Sequence, residues 1–237
     1  LHFAGSNFSA ARYHGAVREV IRRIEAGAIY QANISHRLVF KADEKIDALA
    51  IFARAIARSS APHGAFLNAG TAQIVSLSPE RFFSVTPGPN AEIIRAEPIK
   101  GTRPRGATRA ADEALAQALS SSPKDRAENV MIADLARNDL SRICADGSIR
   151  EEAIAALQTH ATVHHLVSVI SGALRKGVTA ADALAALFPC GSITGAPKIE
   201  AMRTIAAIEA VGRGPYCGAI GYIDDRGRAD FSVAIRT

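Results

Sequence analysis

Gly64-Ala-Phe-Leu-Asn-Ala-Gly-Thr-Ala-Gln-Ile-Val-Ser-Leu-Ser-Pro-Glu-Arg-Phe-Phe-Ser-Val-Thr-Pro-Gly-Pro-Asn-Ala-Glu-Ile-Ile-Arg-Ala96 reads as four short strands separated by turns. Gly64 to Asn68 and Gln73 to Leu77 flank a turn containing Gly70, and Phe82 to Val85 and Ala91 to Ala96 flank Pro87-Gly88-Pro89. Upstream, Tyr13, Val17, Val20, Ile21 and Ile24 recur near the helical period, predicting a helix from Ser9 to a stop at Gly27. Ile29 to Phe40 reads as a strand and Asp47 to Ala57 as a helix. Hairpins mixed with helices, without strict βαβ alternation, predict an α+β body.

Downstream, Ser122-Pro123-Lys124-Asp125 opens a helix running to about Leu140: serine caps, proline suits the first helical position, and Asp125 completes a capping-box variant. Val163 to Ile170, Ala180 to Leu187, and Pro197 to about Ala210 are further predicted helices. Two strands, Cys217 to Ile223 and Ala229 to Arg236, flank the turn Asp224-Asp225-Arg226-Gly227. No internal repeat or long linker interrupts the pattern.

With 237 residues, 48% of them hydrophobic, the chain can bury one sizeable core. Cys144, Cys190 and Cys217 are widely spaced, which predicts neither a disulfide framework nor a zinc knuckle and favours a reduced cytoplasmic setting. No apolar run approaches the roughly 20 residues that span a bilayer, and Leu1 to Asn7 lacks the pattern of a signal peptide. The net charge of +5 favours anionic partners. Nucleic acid is disfavoured, because the basic run Lys100 to Arg109 has no interleaved aromatics and the chain no tryptophan; a solvated loop is the simpler reading.

Several positions could carry chemistry. Pro189-Cys-Gly-Ser-Ile-Thr-Gly-Ala-Pro-Lys198 leads into a helix whose free N–H groups could seat an anion, although an ordinary turn fits as well. Asp125 and Glu128 share a helix face and could hold a hard cation, while capping and the helix dipole explain them more cheaply. Asp134 and Arg137 fit a surface pair. Lys100, between Glu97-Pro98-Ile99 and Gly101, sits on a backbone bend and could act as a nucleophile or simply be solvated. His164-His165 on a helix would diverge by about 100°, which argues against a metal-binding pair.

Taken together, Ile29-Tyr-Gln-Ala-Asn-Ile-Ser35, Ser76-Leu-Ser-Pro-Glu-Arg-Phe82, Pro98-Ile-Lys-Gly-Thr-Arg103, Lys124-Asp-Arg-Ala-Glu-Asn-Val-Met131, Val163-His-His-Leu-Val-Ser168, Phe188 to Lys198, Tyr216-Cys-Gly-Ala-Ile-Gly-Tyr222 and Ile235-Arg-Thr237 resemble the chorismate-utilising enzymes, in the family's order. That family comprises anthranilate, aminodeoxychorismate, isochorismate and salicylate synthases. The resemblance implies an anthranilate synthase-like, chorismate-binding fold of packed β-sheets with helices outside. It runs almost end to end, and implies one catalytic domain over 1–237 that lacks the family's N-terminal segment and its C-terminal strand and helix.

Within the family, Lys100 stands where anthranilate synthases carry alanine, which points to the branch that aminates chorismate at C4. Gln31 stands where the hydrating members carry a lysine base. The resemblance implies Lys100 as nucleophile and Glu80 as general acid. Arg236 and Tyr216 would grip the enolpyruvyl carboxylate, and Gln31, Gly101, His165, Thr194 and Gly218 would line the pocket. Glu128, with Asp125, would hold Mg²⁺. Ammonia would come from a glutamine amidotransferase partner. Cys190 replaces a family glycine, and Glu97 stands where relatives often have arginine.

Overall fold

A computed structural model describes residues 1–59 and 61–237. The N-terminal part contains β1 (His2–Ser6), α1 (Ala10–Glu25), β2 (Gln31–Ala32), β3 (Leu38–Lys41) and α2 (Ala48–Ser59). Then come β4 (His63–Asn68), β5 (Gln73–Ser78), β6 (Arg81–Thr86), β7 (Ile93–Ala96), β8 (Ile99–Pro104), α3 (Arg109–Ser120) and α4 (Pro123–Ser141). The remainder is β9 (Arg150–Thr159), β10 (Val163–Ala173), α5 (Ala180–Leu187), β11 (Gly195–Ala196), α6 (Lys198–Glu209), β12 (Ala219–Ile223) and β13 (Ala229–Val233). The α+β expectation holds.

Seven strands form one sheet in the order β12-β13-β6-β7-β10-β8, with β9 also paired to β10. The hairpins foreseen from Gly64 to Ala96 are present as β4–β5 and β6–β7, both antiparallel. The main core gathers Phe83, Val85, Ile94, Ile170 and Val233 from the sheet against Leu140 of α4 and Ala183 and Leu187 of α5. Burying each such side chain contributes roughly 1.5–3 kcal/mol, so this layer dominates the stability.

Capping explains where the helices start. Ser9 accepts from the Arg12 amide, and Gly27 adopts a φ of 74° just beyond α1. At α4, Ser122 accepts from the Asp125 amide and Pro123 occupies the first turn, as predicted. At α5, Thr179 and Asp182 form a reciprocal capping box.

Three predicted elements are corrected. Val163 to Ile170 is not a helix but the first part of β10, buried along most of its length between β8 and β9. A strand covered on both faces reads as a continuous apolar run, and its period cannot be distinguished from that of a buried helix. His164 and His165 therefore point to opposite faces: His164 Nε2 meets Asp112 Oδ1 at 2.9 Å, and His165 Nδ1 meets Thr102 Oγ1 at 2.9 Å. Ile29 to Phe40 is two short strands, β2 and β3, that pair with different partners, β11 and β1. Lys100 to Arg109 is no solvated loop at its start, since β8 reaches Pro104 by pairing with β10.

Candidate active site

Lys100 owes its position to an irregularity of register. His165 faces Thr102 but Val167 faces Ile99, so β8 holds one extra residue opposite Leu166. Gly101 absorbs this bulge at a φ of 87°, a value that glycine adopts without strain. The bend read from the sequence is thus a β-bulge. Its carbonyls are covered by Asn129 of α4, fully buried, whose amide donates to Leu166 O at 2.9 Å and to Lys100 O at 3.4 Å. Ser168 donates to the Asn129 side-chain oxygen and accepts from the Ala155 amide at 3.0 Å, so the buried network is satisfied. The half-buried Lys100 amine donates to Ser192 O at 2.8 Å.

Glu80 sits in the tight connection between β5 and β6, only 4% exposed. Its amide donates to Ser78 Oγ at 3.2 Å, its carbonyl accepts from the Val233 amide at 3.1 Å, and its carboxyl accepts from the Ile99 amide at 3.3 Å. Burial pushes this carboxyl up to about 7, against the opposing pull of the Ser192 side chain, the Ile99 amide and the Lys100 charge. Such a group can hold and deliver a proton near neutral pH.

The third wall is the segment from Phe188 to Lys198. Gly191 to Ile193 form a single 3₁₀ turn, and Thr194 Oγ1 donates back to Cys190 O at 2.9 Å. Two glycines let it pack. A Cβ on Gly191 would lie 2.5 Å from Leu135 Cδ2, and one on Gly195 would lie 2.1 Å from Gln31 O. Gly195→Ala is therefore expected to lower stability by about 3 kcal/mol, read from the urea midpoint; an unchanged midpoint would refute the close approach. Lys198 turns away from the site to pair with Asp139 at 2.5 Å and donate to Leu187 O at 2.8 Å. Cys190 is buried, its Sγ 3.3 Å from Ser192 Oγ, and burial pushes its thiol up to about 12, so it is inert.

His165, 3% exposed, is held by Thr102, lies against the Gly101 backbone, and is pushed down by burial, then by the charges of His160 and Arg236. Arg236, at a φ of 52°, lines a small cavity with His160 and His165, and its carbonyl accepts from the Leu77 amide. Lys100 and Arg236 are thus linked through the Gly101–His165 contact. Gly218 closes a turn by donating to Pro215 O at 2.9 Å, and a Cβ there would meet that same oxygen at 2.9 Å. Tyr216, Gly218 and Thr194 share the wall of a cleft of about 280 Å³. Gln31 pairs with Ala196 across β2 and β11, and its buried Oε1 has no hydrogen-bond partner among the described residues.

Of the two remaining acids, Asp125 lies against the bulge, its Cβ 3.1 Å from where a Cβ on Gly101 would stand, whereas Glu128 is more exposed. Asp125 is bound by Arg103 at 2.9 Å, and Ser122 and Arg103 hold its carboxyl below the ordinary range. Glu128 is over a third exposed and only loosely tied to Lys124, at 3.9 Å. Among the described residues no three His, Cys, Asp or Glu side chains form a metal-binding cluster. Asp134 and Arg137 make the foreseen surface pair. Glu97 joins Arg81 at 2.9 Å, and Arg81 also forks onto Asp230, tying β6 to β13. Ser192 and Asn129 were missed by sequence reasoning: neither residue type advertises chemistry, and only the fold brings them to Lys100.

The family model described as chorismate binding enzyme matches residues 2–237. Aminodeoxychorismate synthase component 1 of Salmonella typhimurium is 42% identical over 232 residues, covering 98% of this chain and 50% of the relative. Anthranilate synthase component 1 of Methanothermobacter thermautotrophicus is 40% identical over 233 residues, covering 98% and 49%. The crystal structure of anthranilate synthase component I from Streptococcus pneumoniae superposes with a TM-score of 0.87 at 32% identity, covering 100% of this chain and 51% of that one. The chain spans about half the length of these relatives.

Proposed function

Because the chain belongs to the chorismate binding enzyme family, we propose that it is the chorismate-converting body of an aminodeoxychorismate synthase, aminating chorismate at C4 on the route to 4-aminobenzoate and folate. Relatives named for C4 amination and for anthranilate formation are about equally similar, so overall identity does not decide between them. The observation that carries the choice is Lys100: its amine, thrust out by the bulge, is held on the Ser192 carbonyl beside the proton-holding Glu80.

In this reading the Lys100 amine attacks C2 of chorismate, the diene electrons shift, and the C4–O bond breaks. Glu80 gives its proton to the departing hydroxyl, which leaves as water. Ammonia then attacks C4, the electrons shift back, and the C2–N bond to Lys100 breaks; the amine surrenders its extra proton to restore Glu80. The net change is chorismate plus ammonia to 4-amino-4-deoxychorismate plus water. Arg236 and Tyr216 take the enolpyruvyl carboxylate, with the planar guanidinium suited to a two-point grip. His165, Thr194, Gly101, Gly218 and Gln31 form the walls around the ring. A glutamine amidotransferase partner supplies the ammonia. A cytoplasmic location accords with three unpaired cysteines, and no helix among the described residues is long and apolar enough to cross a membrane.

Magnesium fits this chain only in part. Glu128 is free to offer one oxygen, whereas Asp125 is engaged by Arg103. When bound, Mg²⁺ would neutralise the ring carboxylate of the substrate. One carboxylate is a poor site by itself. Titration calorimetry of this chain with MgCl₂, without chorismate, is expected to show binding no tighter than roughly millimolar; micromolar binding would contradict the assignment.

The function is tested by giving the full-length protein chorismate and ammonium and separating the products. 4-Amino-4-deoxychorismate is expected. Formation of 2-aminobenzoate would make it an anthranilate synthase, and binding without turnover a non-catalytic module.

A further inference from the structure

Two β-bulges flank β10, one on each side. On the β8 side, Lys100 and Gly101 stand opposite Leu166. On the β9 side, Val167 faces Ala156 and Val169 faces Ala153, so Ile154 and Ala155 stand opposite Ser168. Ala155 absorbs this second bulge at a φ of 46°, a left-handed value that is uncommon for a residue with a Cβ. Leu166 and Ser168, two residues apart, share the face of β10 on which α4 sets Asn129.

A chain of hydrogen bonds joins the two bulges, and its direction is fixed at both ends. The Ala155 amide, which can only donate, gives its proton to Ser168 Oγ at 3.0 Å, so the hydroxyl proton passes on to the Asn129 side-chain oxygen. That turns the Asn129 NH₂ group towards two carbonyls that can only accept, Leu166 O at 2.9 Å and Lys100 O at 3.4 Å. The Ser168 amide meanwhile donates to Pro98 O at 3.1 Å, tying β8 down just ahead of the bulge. Asn129 and Ser168 are both fully buried. Lys100 is therefore gripped by its main chain while its amine reaches Ser192 O at 2.8 Å.

Resting on the function proposed above, we propose that Asn129 and Ser168 are the positioning residues of the nucleophile, locking the β8 bulge to the β9 bulge so that the Lys100 amine is aimed into the site. Neither needs to touch substrate; both act through Lys100. Without the clamp the extra residue can move along β8, and a slip of one residue turns a side chain to the other face of the sheet.

The experiment gives chorismate and ammonium to the full-length wild type, Asn129→Ala, Ser168→Ala, Lys100→Ala, and each of the first two variants combined with Lys100→Ala. Rate, product and chorismate affinity are read for each. The wild type and Lys100→Ala come first: no C4-aminated product from the one, or undiminished C4 amination by the other, would sink the function and not the positioning role. C4 amination is expected to fall roughly a hundredfold in Asn129→Ala, which strips both carbonyls of their donor, and roughly tenfold in Ser168→Ala, which frees the amide to turn. Chorismate affinity should stay within about twofold of wild type while the ortho share of the product rises, a change that general loosening of the fold does not produce. On the Lys100→Ala background neither substitution should lower the residual rate by more than about twofold, because the group it aims is gone. Full multiplicative losses there, or a wild-type rate in folded Asn129→Ala, would overturn the proposal. If Asn129→Ala does not fold, the Ser168→Ala pair decides by the same comparison.

Discussion

In Lys100→Ala, chorismate is expected still to bind, while the covalent amine adduct proposed for Lys100 should disappear and residual product should shift from para to ortho amination. The groups assigned to grip the substrate, Arg236 and Tyr216, lie on other elements, β13's extension and the turn before β12, so truncating Lys100 leaves them in place. The backbone bulge also stays, because it is made by Gly101 and held by Asn129 through main-chain carbonyls. What is lost is the tethered amine, whose advantage over a nucleophile in solution is large; C4 amination should fall on the order of a thousandfold. C2 is then open to ammonia. Intact-protein mass spectrometry after chorismate without ammonia reports the adduct, and product separation reports the regiochemistry. Unchanged C4 amination by Lys100→Ala, with no adduct on the wild type, would remove the nucleophile role.

Glu80→Gln separates activity from stability. An amide cannot release a proton to the departing hydroxyl, so turnover should fall by on the order of 10²–10⁴. Stability should change in the opposite direction, and only at the higher pH values. The carboxyl has an ordinary value of 4.5 and a folded value of about 7, so its proton is bound more tightly in the folded protein. Below 4.5 both states are protonated and the group is neutral to folding. Between 4.5 and 7 the unfolded chain releases its proton first, and folding loses stability as pH rises. Above 7 the buried charge carries its full penalty, up to about 3 kcal/mol, which glutamine avoids. Urea titrations at pH 4 and pH 8 are expected to show nearly equal midpoints at the first and a more stable Glu80→Gln at the second. Parallel behaviour at both would mean that Glu80 is not the buried acid described. For the wild type, catalysis should decline as pH rises through about 7.

Local chemistry made much of the architecture legible. Ser122 announces α4 because a hydroxyl before a helix satisfies its free amides, and it does so; Ser9 and Thr179, which the sequence reading did not use as caps, start α1 and α5 in the same way. Turn residues marked β4 to β7, Gly70 standing between the first pair and Pro87-Gly88-Pro89 between the second. The failures share a cause. β10 has partners on both sides, so Val163 to Ile170 loses the alternation that would identify it. β8 was read as loop because a strand rich in Arg, Gly and Pro exists only by virtue of its partner, and β9 and α3 gave no reading at all. The site was legible as motifs, through resemblance, but not as geometry. Nothing local could reveal that Ser192 would meet Lys100 across a separation of 92 residues.

The place of β13 also bears on how the chain acquires its structure. Although it is the last strand described, it lies inside the large sheet between β12 and β6, with Phe231 stacked on Phe83 at 5.1 Å. The edge of β6 therefore waits, unpaired, until some 140 later residues have been synthesised. Pairings so remote in sequence close slowly, and an open apolar edge recruits other chains meanwhile. Emergence from the ribosome thus leaves a long interval in which the nascent sheet is sticky, so a stalled or truncated product ending before Ala229 should be found in aggregates, where the longer chain remains dispersed.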